Sequence, residues 1–151
     1  MRLLVALDET DASDDALDYA LDIAARLDAS LLFTHVDEPA VHVTAEESTQ
    51  DVGETSQGEK TQFVRGAIED ARASGDQLLH EAARRAKSLG ITVDIQIVDG
   101  DPLEELLSVA REASIDGVIV GHRGVDDYGD TVGSIAKELI TRSPVPVTVV
   151  P

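Results

Sequence analysis

Cysteine and tryptophan are absent from this chain of 151 residues, and the other aromatic residues are scarce, with two tyrosines and two phenylalanines. The lack of cysteine excludes disulfides and thiolate metal sites and favours a cytoplasmic protein. The core must be built from Leu, Ile, Val and Ala instead of aromatic residues. No apolar run is long enough to cross a bilayer, and the short apolar N-terminus predicts a first strand, not a signal peptide. A chain of this length is expected to form one domain over 1–151.

Positive charge is also in short supply. The chain has 12 Lys and Arg residues against 30 Asp and Glu, which gives a formal net charge of −18. Because no basic face remains for a phosphate backbone, we expect no binding to nucleic acid. The acids are spread over every segment, as is typical of proteins in a cytoplasm of very high salt, where counterions screen the self-repulsion. This pattern predicts a halophilic archaeal source.

Five strand patterns alternate with four helix patterns. Strands are predicted at 3–7, 31–36, 91–97, 117–120 and 144–150, and helices at 12–27, at 70–89, from Pro102 onward, and at 132–142. Such alternation predicts an α/β fold with one doubly wound, five-stranded parallel sheet and helices on both faces. Strict alternation of apolar and polar residues in the third strand, and prolines in the fifth, place those two at the edges. The predicted strand order is therefore 3-2-1-4-5.

The stretch 37–66 interrupts this pattern, because it is polar, acidic and rich in turn residues. We expect a flexible acidic insertion loop, since long links without periodicity are usually mobile or disordered. It leaves the carboxyl end of the second strand, so it would hang over that edge of the sheet. A mobile lid and a plain insertion are both open interpretations.

A glycine-rich loop follows the fourth strand and leads into the last helix, with glycines at Gly121, Gly124 and Gly133. Glycine lets the backbone come close to an anion, and the unpaired N–H groups of a helix start attract negative charge. Asp8 ends the first strand beside Gly121, at the point where the winding of the predicted sheet reverses. A nucleotide is the first ligand to consider, although such a turn is as often a plain connection.

Together these pieces resemble the universal stress protein family over essentially the whole chain. The matching pieces are the segment ending at Asp8, the strand end 34–36, 100–102, 118–121, the loop ending in Gly133-Ser134, and 144–150. The resemblance implies the same fold and a homodimer formed through the last strands. The interface residues expected there are Val145, Val147 and Val149, on an exposed edge suited to such pairing.

The ATP-binding branch of that family carries the motif G-x-x-G-x9-G-[S/T]. This chain matches it at both ends but has eight residues, not nine, between the second and third glycines. The resemblance implies that ATP, with or without Mg²⁺, is held by the loop and the helix start, beside a pocket for adenosine. The nucleotide-binding residues it implies are Leu7, Asp8, Val36, Gly121, Arg123, Gly124, Gly133, Ser134 and Ile135.

Three loop acids, Asp126, Asp127 and Asp130, oppose the binding of phosphates, because a like-charge contact at 4 Å costs roughly 1 kcal/mol even in water. They either point outward or help to hold Mg²⁺, which prefers carboxylate and phosphate oxygens. Arg123 is the loop's single cation. Asp8 is open to three interpretations, as a Mg²⁺ ligand, as a ribose partner or as a helix-cap residue.

The pattern favours a regulatory, nucleotide-binding stress-response module over an enzyme. The histidines show no metal-ligand spacing, and no serine has an evident His-acid partner, so neither a catalytic nor a metal site is predicted. Two alternatives stay open: a family member that has lost nucleotide binding and acts through protein contacts, or a slow Mg-dependent ATPase. A phospho-acceptor receiver domain is disfavoured, because its third strand would have to be central.

Overall fold

The computed structural model describes residues 1–38, 57–112, 114–122 and 132–151. The strands are β1 (Arg2–Ala6), β2 (Ser30–Asp37), β3 (Val93–Asp99), β4 (Gly117–Gly121) and β5 (Val147–Val150). The helices are α1 (Asp11–Leu27), α2 (Gln57–Ser88), α3 (Pro102–Ala110) and α4 (Ser134–Arg142). All four strand pairs are parallel, and the order is β3-β2-β1-β4-β5. The predicted α/β class, the strand order and both edge strands are confirmed.

Each face of the sheet carries its own apolar core, because successive side chains of a strand point to opposite faces. Val5 and Phe33 pack beneath α1 and α2 on one face. Leu4 and Leu32 pack beneath α3 and α4 on the other. The prediction of helices on both faces is thereby confirmed. No helix in the described ranges is both long and apolar enough to cross a membrane.

Local capping explains where three of the helices begin or end. Thr10 caps α1 and accepts a hydrogen bond from the Ser13 N–H at 3.2 Å. Asp101 caps α3 by accepting from the Glu104 N–H at 3.0 Å, and Pro102 follows in the first turn. Gly90, just beyond α2, has a φ of 76°, a left-handed conformation that glycine adopts without strain.

The prediction of a loop over 37–66 is wrong at both ends. Asp37 is the last residue of β2, and α2 begins at Gln57, so the part of this stretch outside the described residues is 39–56. With 32 residues α2 is about 48 Å long at 1.5 Å per residue. Every residue from 67 to 74 is exposed, so this part of the helix needs no apolar stripe to bury. Val64, Ile68 and Ala71 do recur at helical spacing, and the prediction of a start at Asp70 overlooked the first two.

Two further boundaries differ for identifiable reasons. The second helix was expected to end at Leu89, but α2 ends at Ser88 and Leu89 is 58% exposed. The third strand was expected from Ile91 but begins at Val93. The Ile91 N–H donates to the carbonyl of Ala86 at 3.0 Å, so Ile91 belongs to the helix end.

Candidate functional site

The candidate site lies at the middle of the sheet, where the carboxyl ends of β1 and β4 are neighbours. α1 follows β1 onto one face of the sheet, and α4 follows β4 onto the other. In open parallel sheets, ligands bind at such a switch point. The fold therefore brings Asp8 and Gly121 to the same edge. β2 adjoins on the other side, where the Leu7 N–H donates to the Thr34 carbonyl at 2.9 Å.

The start of α4 presents backbone donors at this edge. Gly133 is the N-cap residue and supplies no side-chain cap, and the Lys137 N–H makes the first helical bond, to the Gly133 carbonyl, at 3.0 Å. The amides of Ser134, Ile135 and Ala136 have no acceptor among the residues described. Because they stand at the positive end of the helix dipole, they suit an anion.

The Gly133 amide already makes a hydrogen bond within the protein. It donates to the carbonyl of His122 at 2.6 Å, which joins the end of β4 to the start of α4. Of the amides predicted to hold phosphates, those of Ser134 and Ile135 are thus the ones left without a described partner, and Ala136 adds one that sequence reasoning missed.

Gly121 has a packing reason to be glycine. A Cβ at this position would lie 2.6 Å from the carbonyl carbon of Ala12 and 3.0 Å from its Cβ. The first turn of α1 can therefore press against the end of β4 only while this position lacks a side chain. That contact brings the start of α1, and Asp8 before it, close to the glycine loop.

Asp8 organises the turn between β1 and α1. Its Oδ1 accepts hydrogen bonds from the Thr10 N–H at 2.9 Å and from the Thr10 hydroxyl. Its own N–H donates to Oγ of the buried Ser13 at 2.9 Å. Of the three interpretations of Asp8, the structure supports the role at the start of the helix. Ligand contact at this residue stays a prediction.

His35 is a site residue that the sequence reasoning missed. Its Nδ1 donates to the Leu7 carbonyl at 2.8 Å, and its Nε2 lies 3.2 Å from Oδ1 of Asp37. The ring is held against α2, where a Cβ on Gly75 would come within 2.8 Å of Nε2. His35 therefore joins the ends of β1 and β2 to the middle of α2, beside the candidate site. Its spacing of two from Asp37, which puts both side chains on one face of a strand, is the signal that could have found it.

The described rim of the crevice is acidic, with carboxylates at Asp8, Glu9 and Asp37. No group of three or more His, Asp or Glu side chains suited to a metal ion occurs in the described ranges. An anion at this edge would therefore have to be bound mainly by backbone amides, or arrive together with a cation. Arg123 and Gly124 lie outside the described residues, as do Asp126, Asp127 and Asp130.

The predicted interface residues Val145, Val147 and Val149 are half-buried and pack against the core beneath α3 and α4. Residues 146 and 150 turn their backbones toward β4, since the carbonyls of Pro146 and Val150 accept bonds from Val118 and His122. Val147 and Val149 alternate with these residues, so their N–H and C=O groups face away from the sheet. The N–H and C=O groups of Val145 are bonded to Oγ of Ser143, at 3.3 and 2.8 Å. β5 thus offers a strand edge, and pairing of two copies there stays a prediction.

Comparison with known proteins agrees with the fold. A model of the universal stress protein family matches residues 1–151. Universal stress protein YxiE of Bacillus subtilis is 29% identical over 150 residues, covering 99% of this chain and 97% of that protein. Universal stress protein UspA from Lactobacillus plantarum has a TM-score of 0.81 at 18% identity, covering 100% of this chain and 97% of its own. A universal stress protein solved in complex with cAMP has a TM-score of 0.64 at 26% identity, with coverage of 100% and 97%. The chain belongs to the universal stress protein family.

Proposed function

We propose that this protein is a stress-response module whose state is set by an adenine nucleotide, ATP, bound at the carboxyl edge between β1 and β4. The observation that carries the proposal is the start of α4. Three successive amides there have no acceptor among the described residues, and the N-cap is a glycine without a capping side chain. A relative that is 26% identical over the whole chain was solved with cAMP, which supports an adenine nucleotide as the ligand class.

In this proposal different residues bind the phosphates and the adenosine of the nucleotide. The amides of Ser134, Ile135 and Ala136 hold phosphate oxygens, and the Ser134 hydroxyl adds a further donor. Leu7, Asp8 and Val36 border the adenosine. Because the described rim is acidic, Mg²⁺ accompanies the phosphates and offsets the repulsion between like charges.

The first experiment identifies the ligand. The protein is purified at molar KCl and denatured, any released small molecule is identified by mass spectrometry, and Mg-ATP, AMP and cAMP are titrated by calorimetry. Recovery of an adenine nucleotide, or heat on titration, supports the proposal. If neither is seen, a family member that acts through protein contacts is what remains. Turnover of Mg-ATP well above background and abolished by Asp8→Ala would instead favour the ATPase.

A pair of substitutions at Ser134 tests the amide donors directly. Ser134→Pro removes one N–H at the first helical position, where proline is tolerated, and the ψ of 156° at Gly133 is compatible with a following proline. Ser134→Ala removes the hydroxyl and keeps the amide. Loss of a hydrogen bond to a charged group costs about 1.5–3 kcal/mol. We therefore expect Ser134→Pro to lower the affinity for ATP roughly tenfold to a hundredfold.

We expect Ser134→Ala to lower the affinity for ATP less than Ser134→Pro does. Calorimetry on variants with unchanged melting temperature measures both affinities. Equal affinity of Ser134→Pro and the parent protein would show that this amide does not hold the phosphates.

Assembly and setting complete the proposal. The protein forms a homodimer through the edge at Val145, Val147 and Val149, where the outward N–H and C=O groups of Val147 and Val149 suit strand pairing. It works in the cytoplasm of a halophilic archaeon, where concentrated salt screens its charge of −18.

A further inference from the structure

A groove runs along the outer side of the sheet between α2 and the edge strand β3. It consists of two depressions of about 340 and 380 Å³. The first is lined by His80, Ala83, Arg84, Lys87, Val93, Asp94 and Ile95. The second is lined by Glu69, Arg72, Ala73, Asp76 and Ile97. We call the whole the α2–β3 groove.

The two ends of the α2–β3 groove carry opposite charge. At the first end, Arg84 and Lys87 have no acid within 4.0 Å in the part of the chain that the structure describes, while Asp94 is paired with Arg2 at 2.9 Å. This end is therefore net positive. At the other end stand Glu69 and Asp76, while Arg72 is paired with Asp99 at 3.5 Å. That end is net negative.

The floor of the α2–β3 groove is a strand edge with hydrogen-bonding groups to offer. The Leu31 N–H donates to the Thr92 carbonyl at 2.9 Å, and the Gly100 N–H donates to the Asp37 carbonyl at 3.0 Å. In a parallel ladder, alternate residues turn both backbone groups to the same neighbour. The even-numbered residues of β3 therefore face β2. Val93, Ile95 and Ile97 face outward, where the described part of the chain supplies no further strand.

We propose that the α2–β3 groove is an interface with a second copy of this chain, related by a twofold axis through Ile95. In this antiparallel arrangement Ile95 faces the partner's Ile95, and Val93 faces the partner's Ile97. The outward backbone groups of the two copies then pair in register. α2 runs antiparallel to β3, so the same axis sets the positive end of one groove against the negative end of the other. Arg84 comes beside the partner's Asp76.

The spacing of the elements suits this arrangement. α2 contacts both β2 and β3, which places its axis over the gap between them. Strands lie about 4.8 Å apart, so the axes of two α2 helices in the joined sheet are about 10 Å apart. Packed helices usually lie 8–10 Å apart. The two helices can thus fill each other's groove without distortion of the sheet.

The polar side of the edge also fits a second copy. Asp94 would stand opposite the partner's Gln96, so the register brings no like charges together across the strands. The opposing force is the repulsion between two chains of net charge −18, which molar salt screens because the Debye length falls to about 3 Å. The interface is separate from the nucleotide site, so it does not depend on the proposed function.

Charge reversal tests the pairing. In Arg84→Glu the new carboxylate faces the partner's Asp76, and in Asp76→Lys the new ammonium faces the partner's Arg84. Each contact occurs twice in a symmetric dimer. We expect each variant to raise the dissociation constant of this interface at least tenfold, as measured by light scattering and sedimentation of the full chain at molar KCl. An equimolar mixture of the two variants should associate again, because both cross-contacts are then attractive.

The matched control is Arg111→Glu, which makes the same change of net charge at an exposed position at the end of α3, on the other face of the sheet. It should leave association unchanged. A dimer formed through β5 alone would survive all three substitutions, and that outcome overturns the proposal. So does a wild-type protein that stays monomeric in molar KCl, which would leave the groove to a different partner.

A cysteine placed near the axis gives an independent readout, because the natural chain has none. His80 is exposed on the groove side of α2, at the level where the two helices cross the axis. With axes about 10 Å apart and Cα atoms about 2.3 Å from each axis, two facing residues can reach the 4.4–6.8 Å needed for a disulfide. His80→Cys should form a covalent dimer on mild oxidation, and Arg111→Cys should not. Equal cross-linking of both variants would overturn the proposal.

Discussion

At the scale of single residues, Gly121 couples the candidate site to the packing of the core. Its position lies at the end of the interior strand β4, against the first turn of α1. A glycine in a loop of this kind is readily interpreted as room for a ligand. Here the neighbouring atoms belong to Ala12, so the missing side chain first of all allows α1 to pack against the end of β4.

We expect Gly121→Ala to lower the free energy of unfolding by about 1–3 kcal/mol, a typical cost of overpacking. The added Cβ would meet backbone atoms of Ala12, which cannot rotate away as a side chain can. Urea unfolding measures the change. The matched control is Gly66→Ala within α2, where an added Cβ meets nothing within 4 Å. Alanine there should raise stability by about 0.5–1 kcal/mol. Two variants with the same midpoint would contradict this account.

His35 illustrates what sequence could not reveal at this scale. The spacing of two from Asp37 indicates only a shared strand face, and the other partners, Leu7 and Gly75, are 28 and 40 positions away in the chain. The Leu7 contact is through a backbone carbonyl, which every residue type possesses. Its role could be recognised only once the strands and α2 were placed side by side.

At the scale of secondary-structure elements, the junction of β1 and α1 depends on the carboxylate of Asp8. One oxygen of Asp8 serves the Thr10 amide and hydroxyl, so removal of the side chain leaves the turn before α1 without its acceptor. Asparagine keeps an acceptor oxygen in the same place and removes the charge. These two substitutions therefore separate the role of Asp8 in folding from its proposed role in binding.

We expect Asp8→Ala to lose about 1 kcal/mol of stability, as for other lost caps, and Asp8→Asn to stay close to the parent protein. If the carboxylate also contacts ribose or Mg²⁺, both variants should bind Mg-ATP more weakly. Thermal unfolding and calorimetry on the same samples give the two quantities. Full affinity in Asp8→Asn would assign Asp8 to the helix start alone.

Most elements were predictable because their signals are local. Thr10, Gly90 and Asp101 mark helix ends by hydrogen bonds or backbone geometry within a few residues. The edges followed from strand composition, and the order followed from the edges. The first half of α2 was not predictable in this way. Val64, Ile68 and Ala71 recur there at helical spacing, but the polar, acidic and turn-rich sequence that precedes them favoured a loop.

At the scale of the whole molecule, an acidic surface of net charge −18 opposes compaction. The described ion pairs are mostly at exposed positions, where each adds little stability. Screening by salt should therefore stabilise this fold more than any single ion pair does.

We expect the melting temperature to rise by roughly 5–10 °C between 0.1 and 3 M KCl, which corresponds to about 2–3 kcal/mol of relieved repulsion. Differential scanning calorimetry measures it. The control is the double variant Asp15→Lys and Glu138→Lys, two exposed positions on α1 and α4, whose less negative chain should respond less to salt. A melting temperature independent of KCl would remove the argument for a halophilic source.

The hydrogen bond from the Gly133 amide to the His122 carbonyl has a consequence for how this loop can evolve. It joins the end of β4 directly to the start of α4, so β4 helps to position the first amides of α4. The free energy of closing the loop between His122 and Gly133 changes little when one residue is added or removed. A spacer one residue shorter than that of the family motif is therefore compatible with an unchanged position of the N-terminus of α4 beside β4.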